Sequence, residues 1–173
     1  EWAVDETGER DFPPGSDLSR LWIARSGEQL FLRLALAEGK ANVGYRYHFL
    51  FENEENKLDL QAFWTGTEWQ AKAFDVRPGP TKELGSVDYK STGDGLSLAV
   101  PLEYLAGRVL NERVDYSVEV VTAEREFQDS LEPVPTFIPS GGLSDARIIA
   151  GTVVEEQRSY EGRSEERRVG KEC

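Results

Sequence analysis

Trp64 and Trp69 are the residues of this chain whose type and spacing point most directly to chemistry. Two alternating apolar runs, residues 58–65 and 68–76, flank Gly66-Thr67, and a glycine at the first central position of a two-residue loop suits a type II′ hairpin. That register sets Thr65 opposite Glu68 and Trp64 opposite Trp69, on one face with Leu60, Ala62, Ala71 and Ala73. Paired indoles can stack on the apolar face of a pyranose ring while polar groups such as Gln61, Gln70 and Lys72 meet its hydroxyls. The same pair can also cap a core with no ligand. Trp22, on the side of its run away from Leu21 and Ile23, is either a third ligand contact or packing against a second sheet, and Trp2 reads as core.

A second chemistry is suggested by the loop at residues 52–57. Glu52 and Glu54, with Asp59 close behind, concentrate carboxylates in one turn, and a structural calcium ion takes roughly six to eight oxygen ligands from such loops. The spacing is not that of a known calcium loop, and a solvated acidic turn is the preferred reading. Asp11, Asp17 and Asp129 are further oxygen donors that the sequence does not bring together. His48 is the one histidine, so no second imidazole shares a transition metal, and it reads as a surface or hydrogen-bonded residue. Glycoside hydrolysis needs two facing carboxylates. Glu52 with Glu54 and Glu124 with Glu126 share strand parity, but among 32 acidic residues such pairs arise by chance. There is no phosphate-cradling glycine loop and no serine nucleophile elbow. The chain reads as noncatalytic, with a glycoside hydrolase fragment as the remaining enzymatic alternative.

The charge balance, 20 Lys and Arg against 32 Asp and Glu for a net charge of −12, repels phosphate backbones and anionic lipid surfaces. No apolar run of about 18 residues offers a membrane span. The expected partners are therefore a glycan and neighbouring domains of the same polypeptide, not nucleic acid or a bilayer. Residues 163–173 resemble translated sequencing adapter and carry Cys173, the single cysteine. Setting them aside leaves no thiol and a chain that stays strongly acidic. Together with the absence of methionine, they suggest an internal fragment of a larger product. The expected division is a β-sandwich domain at 1–155, a linker or frayed end at 156–162 and an artefact at 163–173.

Elements able to position these residues are read from the period-two alternation of apolar side chains, broken by Gly, Pro, Asn and Asp clusters. It predicts strands at 18–25, 29–37, 41–51, 58–65, 68–76, 86–91, 96–100 and around Val114–Val120, with a last strand at 146–154. Residues 101–105 read as one helical turn, and 127–143 as an irregular Pro-rich segment. Eight or nine strands with minimal helix predict an all-β, antiparallel, jelly-roll-like β-sandwich.

The order of landmarks resembles the family 9-like carbohydrate-binding modules within the DOMON-like β-sandwiches. The resemblance rests on Glu1-Trp2, on Asp17-Leu18 followed by Leu21-Trp22-Ile23-Ala24-Arg25, Gly27 and Leu30-Phe31-Leu32-Arg33, and on Gly95 to Leu102 with Leu105. It implies an extracellular, cell-surface or periplasmic noncatalytic module that binds glycan by aromatic stacking, or a structural spacer with no small ligand. Haem-binding relatives commonly use Met and His as axial ligands, and with no Met and one His no haem is expected here.

Overall fold

The computed structural model describes residues 15–37, 39–140 and 147–148, so Trp2, Asp11 and most of the predicted last strand lie outside the described residues. Ten strands follow in chain order: β1 (Leu18–Ser26), β2 (Gln29–Leu36), β3 (Tyr45–Glu52), β4 (Lys57–Trp64), β5 (Trp69–Arg77), β6 (Lys82–Thr92), β7 (Gly95–Pro101), β8 (Arg113–Thr122), β9 (Phe127–Phe137) and the two-residue β10 (Arg147–Ile148). A 3₁₀ turn, Leu102–Tyr104, supplies the helical turn expected after β7. The architecture is all-β, and every ladder between strands is antiparallel, as the alternation predicts.

The strands form one nearly closed sheet in the order β10-β1-β2-β7-β6-β5-β4-β3-β8-β9, folded into two facing layers. The long strand β6 belongs to both. Its first half, Lys82 to Val87, pairs with β5, and its second half, Asp88 to Thr92, pairs with β7. One layer is therefore β10, β1, β2, β7 and the end of β6; the other is the start of β6 with β5, β4, β3, β8 and β9. At the far side β9 comes back to β1, where the Asp129 carboxylate accepts a hydrogen bond of 2.9 Å from the Leu18 amide. A side chain there does what a ladder bond would otherwise do.

Alternation dictates which residues fill the space between the layers. Leu30, Leu32, Leu34 and Leu36 of β2 face Tyr47, Phe49 and Phe51 of β3, Leu58, Leu60 and Ala62 of β4, and Val114, Tyr116, Val118 and Val120 of β8, all buried in one core. Each such Leu or Val contributes on the order of 2 kcal/mol by leaving water. Phe51 and Tyr116 stack within it with centroids 4.5 Å apart. Burial holds the Tyr116 phenol well above its ordinary pKa.

Three expectations need correction. The strand predicted at 41–51 starts at Tyr45, because the Asn42 side chain accepts the Gly44 amide at 2.9 Å and its carbonyl accepts the Tyr45 amide at 3.0 Å, which turns the chain and leaves Val43 exposed. The strand predicted at 86–91 runs from Lys82 to Thr92, with a bulge against Ala73 and Phe74. Its start was obscured by Gly85, which lies at φ 152° beneath the Tyr104 hydroxyl. The segment read as irregular contains β9, an eleven-residue strand. Pro133 and Pro135 fit because β9 is a sheet edge, where alternate positions need no amide donor.

Gly95 is buried at the start of β7, and a Cβ there would collide with the Leu34 carbonyl and Ala35 Cα of β2. Gly95→Ala must push two core strands apart. A destabilisation of about 1–3 kcal/mol is expected, measured by equilibrium urea denaturation.

Candidate functional site

The hairpin forms in the expected register. Trp64 pairs with Trp69, the Thr65 amide donates to the Glu68 carbonyl at 2.9 Å, and Gly66 takes φ 103°. The rings meet edge to face at 6.0 Å. Trp69 also stacks on Tyr89, with centroids 5.5 Å apart and planes 11° apart, and tilts against Tyr47 at 6.1 Å. Tyr47 is fixed in turn, its hydroxyl donating to the Gly15 carbonyl at 2.5 Å and accepting from the Asn42 amide at 3.0 Å. Burial raises the pKa of the Tyr47 and Tyr89 phenols. Half-buried Trp69 thus belongs to an aromatic plug at one end of the core, with Trp64 at its rim.

Gln61 and Gln70 do not flank this pair. Alternation turns Trp64 and Trp69 inward with Leu60 and Ala71, so Gln61 and Gln70 point to the outer face of the same layer. There Gln61 donates to Asp59 at 2.7 Å and Gln70 to Glu68 at 3.1 Å, while Lys72 pairs with Glu83 at 2.9 Å. Trp22 stands on the outer face of the other layer under the Arg33 guanidinium, 4.9 Å from its ring centre, and Arg33 is held by Asp94 at 2.9 Å. The five residues grouped as a glycan site are thus spread over three surfaces.

Of the three expected calcium ligands, Asp59 is engaged apart from Glu52 and Glu54. Glu52 is engaged by Arg77 and by Lys57, the latter at 3.2 Å. Asp59 is buried between Gln61 and His48, whose Nδ1 lies 3.0 Å and 3.2 Å from its two oxygens. The loop keeps its shape through Asn53, whose side-chain oxygen accepts the Glu55 and Asn56 amides at 3.0 Å and 2.7 Å. Among the described residues no three His, Cys, Asp or Glu side chains form a group able to hold a metal. Asp129 is committed to Leu18, and Glu124 and Glu126 are exposed at the β8–β9 turn.

Glu52 and Glu54 instead line an open groove of about 660 Å³ on the outer face of the second layer, with Asn53, Arg77, Arg113, Asp115, Ser117, Pro133 and Pro135. The register explains the convergence. Glu52 of β3 lies opposite both Lys57 of β4 and Asp115 of β8, Lys57 opposite Arg77 of β5, and Asp115 opposite Pro135 of β9, so five strands contribute one cross-strand row. Arg113 extends the groove with Phe137 opposite it. Carboxylates, guanidinium groups, an amide and a hydroxyl can donate to and accept from several hydroxyls at once, and the two proline rings form an apolar ledge.

Sequence reasoning missed Arg113, Asp115, Ser117, Pro133 and Pro135. Arg113, Asp115, Ser117 and Glu119 were visible as the polar half of an alternating strand, but no local signal placed β8 beside β3. The prolines were hidden in a segment read as irregular.

The packing separates the two hairpin tryptophans. Trp69→Ala should cost about 3 kcal/mol by removing a ring packed against three others, and Trp64→Ala distinctly less, as read by urea denaturation of each variant. Equal losses would show that Trp64 is as embedded as Trp69. No protein-family model, curated protein or solved structure matches this chain.

Proposed function

We propose that the chain is a noncatalytic module of a larger secreted or surface protein that binds a glycan in the groove of the second layer. The groove itself carries the proposal: a cleft of about 660 Å³ in which planar polar side chains from β3, β5 and β8 converge beside proline rings. Its residues match what a sugar requires, since each hydroxyl is donor and acceptor together, and bonds to charged groups contribute about 1.5–3 kcal/mol where water is displaced. Glu52 and Arg77 hold each other, so Glu52 is fixed before a ligand arrives. Such pre-organisation lowers the cost of binding. The resemblance to family 9-like carbohydrate-binding modules supports the same class. The binding chemistry is chiefly hydrogen bonding in the groove, in place of stacking on the hairpin pair. An exposed site of this size supports a Kd on the order of 100 µM.

The structural spacer remains as a second reading because Trp69 is consumed by packing, which removes the strongest sequence argument for a ligand. His48 and Asp59 form a hydrogen-bonded pair on the same outer face.

Isothermal titration calorimetry of the folded domain against a panel of neutral gluco-, xylo- and manno-oligosaccharides tests the proposal. Saturable heat is expected for at least one member, with affinity lowered about tenfold or more by Arg113→Ala or Asp115→Ala and unchanged by Phe31→Ala on the other layer. No binding across the panel by a domain folded by circular dichroism would overturn the glycan reading in favour of the spacer.

A further inference from the structure

The groove occupies one end of a longer surface. Outward-facing residues of the second layer form successive cross-strand rows that continue from it toward the opposite end of β8. Phe74, Asp59, Leu50 and Ser117 form the row next to Glu52 and Asp115; Leu50 and Asp59 are buried in it, so Phe74 and Ser117 are its accessible members. Lys72, Gln61, His48 and Glu119 form the following one. Beyond them Gln70 lies opposite Phe63, the Arg46 guanidinium sits over the Phe63 ring at 5.0 Å, Arg46 lies opposite Val121, and Val121 lies opposite Phe127. Phe127 is 63% exposed, and Phe137, at the groove end of the same strand, is 46% exposed. From Arg113 to Val121 the surface spans about 27 Å at the rise of an antiparallel strand.

We propose that this face binds an extended neutral oligosaccharide lying along β8, with one end in the groove and the other on the Phe63–Val121–Phe127 row. The inference rests on the glycan reading of the groove and adds the length and course of the ligand. Three observations select this occupant. Along β8 the surface continues from the groove wall through Ser117 and Glu119. Its composition alternates as a sugar chain would require: half-exposed rings at the two ends for the apolar faces of pyranoses, and the polar groups of Gln61, His48, Ser117 and Glu119 between them for hydroxyls. Its charge is mixed, with Arg46 over Phe63, Glu119 opposite His48 and Lys72 paired to Glu83, while the whole chain carries −12. A polyanion would be repelled at long range, whereas a neutral chain is not. Phe127 and Val121 then serve as a far subsite that a short ligand held in the groove does not reach.

Matched di- and hexasaccharides of the neutral series, titrated calorimetrically into the full chain, test this directly. The hexasaccharide should bind about tenfold or more tightly than the disaccharide, the contribution expected of one added ring contact with its neighbouring hydrogen bonds. Phe127→Ala, at an exposed position that the core does not need, should erase most of that advantage and leave disaccharide affinity unchanged. Phe63→Ala should act in the same direction. Equal affinity for the two lengths would overturn the extended course while leaving the groove as a glycan site. Binding of neither length would overturn both readings. Hexasaccharide binding that survives Phe127→Ala and Phe63→Ala undiminished would also overturn it, by showing that the chain takes another path.

Discussion

Strict alternation of side chains across a sheet that shares one strand between its layers is the constraint on which the rest of this molecule depends. Because β6 pairs with β5 through Val87 and with β7 from Asp88 onward, both layers present inner faces to one core and outer faces to opposite sides. Most residues' fates follow from their parity, although Leu50 and Asp59 are buried on the outer one. Leu60 and Ala71 are buried while Gln61 and Gln70 look outward, and a slip of one position would exchange them. The Asp129 carboxylate on the Leu18 amide completes the arrangement by joining the last long strand to the first.

The same constraint decides what the aromatic residues can do. Trp69 lies on an inward parity and is taken up by Tyr47 and Tyr89, so the most conspicuous pair in the sequence serves the core. Phe63, Phe127 and Phe137 are less conspicuous, and each occupies the outer side of the layer that also carries Arg113, Asp115 and Glu52. Ion pairs on that surface are half exposed and add little to stability. Their structural effect is to fix side chains such as Glu52 and Lys72 in place.

Much of the fold was legible in the sequence because its signals are local. The hairpin at Gly66-Thr67, the four leucines of β2 and the polar-apolar alternation of β8 each declare a strand and a face within about ten residues. Non-local features were not legible. That β8 lies beside β3, bringing Asp115 opposite Glu52, depends on a pairing between residues more than sixty positions apart in the chain. β9 was hidden because its prolines read as breakers until its place at the sheet edge is known. The candidate site was half seen for this reason. Glu52 and Glu54 were recognised as a local acidic cluster, read first as a solvated turn and otherwise as metal ligands, whereas the cations that answer Glu52, Arg77 and Lys57, come from a different strand and from the far side of the loop.

The outer face of the second layer, and not the tryptophan hairpin, is the surface proposed to meet a ligand. Backbone amide chemical-shift mapping by NMR during titration with a neutral hexasaccharide tests it most directly. Perturbations are expected to follow β3 and β8 from Glu52, Arg113 and Asp115 to Val121, with the amides of Thr65 to Glu68 and of β2 unmoved. Perturbations centred on Thr65 to Trp69 and on Tyr89, with β8 silent, would contradict it and return the site to the aromatic plug.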